Sequence, residues 1–172
     1  AYGMVFPEPR EWLSDAAVVP GTDGRKMSKS YANIIEIFAE GKPLKTSVMG
    51  IVTDSTPLEE PKNPETCNVF ALYRLFATPE EQEQLARLYR QPLLDAEARK
   101  GRPFGYGDAK QMLLAKIDTF FREARERRKQ LAADPATVEN ILLAGARRAR
   151  AEARQTIDLV RKAVGLHQFP RS

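Results

Sequence analysis

The sequence predicts a mainly α-helical protein, a helical bundle preceded by a short segment of different character. From Ile34 onward, apolar residues recur at helical spacing between turn signals. The first 33 residues instead hold three prolines, three glycines and one short extended candidate, residues 17–19. Because such a segment cannot close a core of its own, we predict two parts, residues 1–33 and residues 34–172.

Three helices are expected in the middle of the chain. The first lies near residues 42–50 and precedes a loop over 53–63 that is rich in proline and acidic residues. Asn63 and Pro64 then supply the N-cap and the first helical position of the second helix. Its inward side chains fall at spacings of three and four residues and are Val69, Leu72, Tyr73 and Phe76.

The third helix begins with a capping box, in which Thr78 and Glu81 each accept the other's backbone N–H. The side chains on its inward face are Leu85, Leu88 and Tyr89. After it, residues 100–107 predict a loop, since four of the eight are glycine or proline.

Two long helices are predicted to finish the chain, near residues 108–131 and 135–164. The residues expected to be buried on the first are Ala109, Leu113, Ile117, Phe120 and Ala124. The second has an apolar line whose small middle residues allow a close helix crossing, and the line consists of Val138, Leu142, Gly145, Ala149, Ala153, Ile157, Val160 and Val164.

The composition is that of a globular protein, with 42% apolar and 29% charged residues, which excludes a disordered or fibrous chain. The single cysteine, Cys67, cannot form an internal disulfide, which suits a reducing compartment. No apolar run approaches the roughly 20 residues of a membrane span. We therefore expect a cytoplasmic protein.

The net charge of +4 comes from the C-terminal quarter of the chain. Residues 122–162 hold eleven basic and six acidic residues, whereas the remainder holds 16 basic and 17 acidic ones. Helical spacing places cations on two faces, one with Arg122, Arg125 and Lys129 and the other with Arg147, Arg150 and Arg154. Such stripes favour a polyanionic partner, a nucleic-acid backbone before a membrane, and the alternative is a solvated helical surface.

Residues 24–30, Gly-Arg-Lys-Met-Ser-Lys-Ser, are the most informative stretch. Their polar, glycine-led composition predicts a loop. The ammonium groups of Lys26 and Lys29, flanked by two hydroxyls, can close over a triphosphate and follow its charge onto departing pyrophosphate. A basic surface loop is the alternative, but chance produces the five-residue string in only about one chain in ten thousand of this size.

The string resembles the KMSKS signature of the class I aminoacyl-tRNA synthetases. The longer string GTDGRKMSKSYANI and three further strings resemble the bacterial tryptophanyl-tRNA synthetases, the others being VTDSTPLEEPKNPETCNVFALYRLFA, FGYGDAK and RKAVGL. The resemblance extends from about Tyr2 to Leu166. It implies that residues 1–33 end a Rossmann-type α/β catalytic domain and carry its ATP loop, and that residues 34–172 form a helical tRNA-anticodon-binding domain.

The resemblance also implies site residues. The ATP-binding loop would consist of Lys26, Met27, Ser28, Lys29 and Ser30, with the two lysines acting in catalysis. Val18 or Val19 would lie against the adenine through backbone contacts, and the two cationic faces would bind tRNA. Ala32 stands where the family often has glycine. No metal site on the chain is implied, because Mg²⁺ arrives with the substrate ATP.

The family's second signature, a His-x-Gly-His-type motif, is absent, since the only histidine is His167. No GxxxxGK[ST] or GxGxxG string replaces it. The chain is therefore expected to be the C-terminal half of a tryptophan–tRNA ligase. The whole enzyme, a homodimer, would form tryptophanyl-adenylate from ATP and tryptophan and charge tRNA(Trp). This half, expected to be a monomer and inactive alone, would supply the pyrophosphate-stabilising loop and tRNA binding.

Three alternatives stay open. In the first alternative, the chain is a non-catalytic tRNA- or RNA-binding helical module in which residues 26–30 are a relic. An upstream Rossmann half in the reading frame would argue against this alternative. In the second, it is another class I synthetase, the tyrosyl enzyme being nearest, against which Met27 and the CNVFALY string stand. In the third, it is a structural helical domain, which the motif argues against.

Overall fold

A computed structural model describes residue 3, residues 5–13 and residues 16–166 of the chain. The chain divides into two compact units. Leu13–Arg125 form one, the core unit, and Ala1–Trp12 with Glu126–Ser172 form the other, the arm unit. His167 lies outside the described residues, and the domain boundary between residues 33 and 34 stays a prediction.

The mainly helical fold class is confirmed. The α-helices of the described residues are α1 (Gly41–Met49), α2 (Asn68–Tyr73), α3 (Pro79–Arg90), α4 (Tyr106–Ala133) and α5 (Pro135–Ala163). Short 3-10 helices occupy Lys29–Tyr31, Pro64–Thr66 and Ala96–Arg99. None of the described helices is long and apolar enough to cross a membrane.

The predicted helix starts are confirmed at two places. Thr78 Oγ1 accepts the N–H of Glu81 at 3.4 Å, and Glu81 Oε2 accepts the N–H of Thr78 at 2.9 Å, which completes the capping box. Asn63 Oδ1 accepts the N–H of Glu65 at 3.0 Å, but the turn that follows is 3-10, and α2 begins only at Asn68. The second predicted helix is thus present in two pieces.

The core unit closes around Tyr89, whose surface is fully buried. Its ring centroid lies 6.0 Å from that of Phe70, 5.9 Å from that of Phe104 and 5.8 Å from that of Tyr106. Its hydroxyl lies 3.4 Å from Cys67 Sγ. The predicted inward residues of α2 and α3 belong to this core, with Phe76 only partly buried, and the fully inward ones are Val69, Leu72, Tyr73, Leu85, Leu88 and Tyr89.

A buried lysine holds the loop at residues 53–63. Lys62 is 3% exposed, and its Nζ donates to the carbonyl oxygens of Pro57, Leu58 and Glu60 at 3.1, 2.9 and 2.9 Å. Burial lowers the pKa of the Lys62 ammonium group. Because three carbonyls match its three protons, this loop is fixed without regular secondary structure.

Two predictions about the long helices are wrong. On α4, three of the expected residues are buried, but Phe120 is 61% exposed and Ala124 is also exposed. No described residue of α5 is buried, and Leu142 of its apolar line is 66% exposed. Periodicity identifies an apolar helix face, but it does not show whether another element covers that face.

Candidate functional site

The candidate phosphate loop, residues 26–30, lies in the core unit. It follows a turn at residues 20–25, which we call the base of the loop. An isolated antiparallel bridge joins Pro20 to Lys26, and the Met27 N–H donates to the Val19 carbonyl at 2.9 Å. The segment before the turn, at Val19 and Pro20, is therefore paired with the first two residues of the motif, Lys26 and Met27.

Each residue of the loop has its own local role. The Met27 side chain is partly buried and packs against the hydrophobic core. Ser28 precedes the 3-10 helix Lys29–Tyr31, and its Oγ accepts the Ser30 N–H at 3.3 Å. Lys26 and Lys29 are exposed, and neither has an ion-pair partner among the described residues. The loop thus presents two uncompensated ammonium groups on a hydrogen-bonded backbone.

Val18 lies just before the base of the loop and is 57% exposed. The neighbouring Val19 is 37% exposed, and its carbonyl already accepts the Met27 N–H. Contact of either residue with an adenine ring stays a prediction.

Asn33 lies beneath the loop, and the sequence analysis did not single it out. It is 2% exposed. Its Nδ2 donates to Asp23 Oδ1 at 2.7 Å and to the Lys26 carbonyl at 3.1 Å, while its Oδ1 accepts the Ser28 N–H at 2.8 Å. Hydrophobic periodicity does not mark such a residue, and the string GTDGRKMSKSYANI contains Asn33 without indicating its burial. Its partners lie both in the turn before the motif and in the motif itself, and only the fold brings them together.

Asp23 is a second anchor of the base. It accepts hydrogen bonds from Asn33, from the Arg25 N–H at 3.0 Å and from Arg25 Nε at 2.7 Å. The hydrogen bond from Asn33 is the largest cause that lowers the pKa of Asp23, and the Arg25 contacts act in the same direction. The Arg25 guanidinium carbon also lies 4.6 Å from the centroid of the Tyr31 ring, so the two flanks of the loop are in contact.

The cations predicted for nucleic-acid binding differ in exposure. Arg122, in the core unit, is exposed. Arg125 is 3% exposed and donates to the Ile37 carbonyl at 3.0 Å and to Asp118 Oδ1 at 2.7 Å. Because a buried guanidinium cannot reach a phosphate, the assignment of Arg125 to the nucleic-acid surface is corrected, and we regard it as a packing residue.

The remaining cations lie in the arm unit. Lys129 is paired with Glu126 at 2.8 Å. Arg147, Arg150 and Arg154 are exposed along one face of α5, and no carboxylate in the described ranges lies within ion-pair distance of them. These three arginines, which we call the α5 arginine stripe, form a continuous cationic surface on a single helix.

Comparison with known proteins finds relatives but no matching family model. The tryptophan–tRNA ligase of Rhodopirellula baltica is 42% identical over 167 residues, and that of Fusobacterium nucleatum is 45% identical over 168. The crystal structure of the tryptophanyl-tRNA synthetase of Campylobacter jejuni, complexed with ADP and tryptophan, matches with a TM-score of 0.75 and 38% identity. Each comparison covers 96% of this chain, which spans about half the length of the relatives it matches.

Ala32, which ends the 3-10 helix of the loop, has a left-handed backbone with φ of 52°. We predict that Ala32→Gly raises the free energy of unfolding by about 0.5–1 kcal/mol, because glycine adopts this conformation without a Cβ clash. Urea denaturation followed by circular dichroism measures the change. Ala115→Gly, at an exposed helical position of the same unit, is the control and should lower the same quantity by about 1 kcal/mol. A loss of stability in both variants would contradict the prediction.

Proposed function

We propose that this chain is the C-terminal half of a tryptophanyl-tRNA synthetase and that it serves the ATP-dependent joining of tryptophan to tRNA(Trp), on the basis of its similarity to such enzymes over 96% of its length. Its proposed share is the loop that stabilises pyrophosphate, together with a surface for tRNA. The observation that carries the proposal is the pair Lys26 and Lys29, exposed and without counterions in the described structure, on a backbone fixed from below.

The chemistry proposed for the loop is electrostatic. When a tryptophan carboxylate oxygen attacks the α-phosphorus of ATP, the bond from that phosphorus to the bridging oxygen breaks, and pyrophosphate leaves with the negative charge. Ammonium groups at fixed positions stabilise charge that develops on the leaving group. Lysine suits this role because it is a compact point charge on a flexible stem.

Mg²⁺ enters the proposal as part of the substrate MgATP, and no residue of this chain is proposed to bind it. The Ser28 and Ser30 hydroxyls flank Lys29 and are proposed as further phosphate contacts. Val18 is proposed to border the adenine. The serine assignments follow from the similarity of the loop to the family motif, with Ser30 exposed and Ser28 half-buried, and the Val18 assignment follows from the resemblance and from its exposure.

In the arm unit, the α5 arginine stripe and Lys129 are proposed to contact tRNA, and Arg122 of the core unit is proposed as a separate tRNA contact. Arginines without carboxylate partners lose no ion pair when they bind phosphate, which favours the stripe over Lys129. The other proposed partner is the N-terminal catalytic half, with a homodimeric whole enzyme in the cytoplasm. A non-catalytic tRNA-binding module is the second candidate, because the stripe alone would serve it.

We predict that the purified chain shows no tryptophan-dependent exchange of pyrophosphate into ATP. The described residues contain no β-sheet on which the amino acid and the adenylate could be held. Isotope exchange measures this, with the full-length Campylobacter jejuni enzyme as the positive control in the same buffer. Exchange catalysed by the chain alone, and lost in Lys29→Ala, would contradict this division of labour.

We also predict that replacing the α5 arginine stripe by alanine weakens tRNA(Trp) binding. The negative slope of log affinity against log salt should become shallower by about 3, because each lost phosphate contact removes about one released counterion. Fluorescence anisotropy at several salt concentrations measures it, against cognate tRNA and an anticodon-swapped copy.

The control for this measurement replaces three arginines near α3, Arg74, Arg87 and Arg90, and removes the same charge. It should leave the salt slope within experimental error. Equal losses in the two triple variants would mean that net charge, and not the stripe, determines binding.

A further inference from the structure

We propose that Asn33 is the positioning residue of the phosphate loop. Its buried amide holds the backbone on both sides of Met27, and in this way it determines where Lys26 and Lys29 meet a triphosphate. The proposal rests on the function proposed above for the loop. Asn33 itself contacts no substrate and acts only through the loop.

The hydrogen bonds of Asn33 connect the turn before the motif with the motif itself. Its two Nδ2 protons go to the Asp23 carboxylate and the Lys26 carbonyl, and its Oδ1 receives the Ser28 N–H. Its backbone carbonyl accepts the Thr22 N–H at 2.9 Å. A buried amide with every donor used is rigid, and removing it leaves the Lys26 carbonyl and the Ser28 N–H without these partners.

The fold also makes room for this side chain. A Cβ on Gly21 would lie 2.2 Å from Asn33 Nδ2 and 2.3 Å from Asn33 Cγ, so no larger residue fits there while Asn33 keeps its place. The Asn33 backbone oxygen would lie 2.8 Å from the same Cβ, so the side chain and the backbone of Asn33 together leave room only for glycine at position 21.

Asn68 is a matched reference on the other side of the same turn. A Cβ on Gly24 would lie 2.7 Å from Asn68 Oδ1, and Asn68 Nδ2 donates to the Val52 carbonyl at 3.0 Å. Both asparagines pack against the turn, but only Asn33 hydrogen-bonds to residues 26–30. Their comparison separates support of the turn from positioning of the motif.

Fixing residues 26–28 has a direct consequence for the two lysines. Met27 is anchored in the core, and the peptide groups before and after it are held by Asn33. Lys26 therefore leaves the base in a set direction, and Ser28 starts the 3-10 helix that carries Lys29. Charges arranged before the substrate arrives need no rearrangement when it binds or reacts.

The test compares the intact chain with Asn33→Ala and Asn68→Ala. Two quantities are measured by NMR, the hydrogen-exchange rate of the Ser28 amide and the affinity for inorganic tripolyphosphate, followed at the amides of residues 26–30. We expect Asn33→Ala to change each by about tenfold, exchange becoming faster and binding weaker, and Asn68→Ala to change each by less than about twofold.

Exchanging the side chains of Asp23 and Asn33 tests whether tripolyphosphate binding can be rescued. A general loss of stability would not be reversed in this way. Asn33→Asp places a second carboxylate against Asp23 and should weaken tripolyphosphate binding further than Asn33→Ala. The double variant D23N/N33D restores one amide–carboxylate hydrogen bond with the roles reversed, so it should recover part of the loss relative to Asn33→Asp.

The outcomes separate this inference from the function on which it rests. The proposed function of the loop fails, and the inference fails with it, if the intact chain does not bind tripolyphosphate. The same holds if the Lys26→Ala and Lys29→Ala variants bind tripolyphosphate as tightly as the intact chain does. If the intact chain binds through both lysines but Asn33→Ala binds as tightly, only the inference is overturned. Equal effects of Asn33→Ala and Asn68→Ala overturn it too.

Discussion

A buried amide must find hydrogen-bond partners, and the way Asn33 meets this requirement organises the functional end of the core unit. Its partners are the turn before the motif and the backbone of the motif itself. The same turn is tied to the rest of the unit, because the Val52 N–H donates to the Thr22 carbonyl at 2.7 Å. Met27 packs against the core, so the loop is supported by the side chains of Met27 and Asn33, neither of which carries a charge.

The two units use their residues in different ways. The core unit buries aromatic and aliphatic side chains around Tyr89. Its buried Lys62 donates to three carbonyl oxygens, whereas buried Arg125 hydrogen-bonds through Nε and Nη1 and leaves Nη2 without a hydrogen-bond partner among the described residues. In the arm unit, the described residues of α5 bury none of their side chains, and its arginines face solvent. Rigid support is consistent with the role proposed for the loop, which requires two charges at fixed positions, and exposed guanidinium groups are consistent with the polyanionic partner proposed for the arm unit.

Much of the helical fold could be predicted from local signals. The capping box at Thr78 and the inward stripe of α3 depend only on neighbours in sequence, and they appear in the structure as expected. The apolar line of α5 satisfies the same periodicity, yet nothing in the described chain buries it, because covering a face is a long-range event. The predicted burial of Phe120 is wrong for the same reason.

The proposed site at Lys26–Ser30 could be predicted from the sequence because its residues are consecutive, and its phosphate chemistry stays a prediction. Arg125 has the spacing of an exposed cation, but the carbonyl that accepts its hydrogen bond belongs to Ile37, 88 residues earlier in the chain. Asn33 lies within the string GTDGRKMSKSYANI that resembles the family, but nothing in that string indicates that its side chain is buried. Its role follows from burial and from three partners that only the folded turn brings together.

Residues 26–30 are proposed to recognise phosphate through Lys26 and Lys29. A residue-resolved NMR titration of the intact chain with ATP and, separately, with AMP tests this directly. We expect shifts at the amides of residues 26–30 that saturate with ATP and are much weaker with AMP, because AMP lacks the β- and γ-phosphates. Equal responses to the two nucleotides, or shifts confined to the α5 arginine stripe, would contradict it.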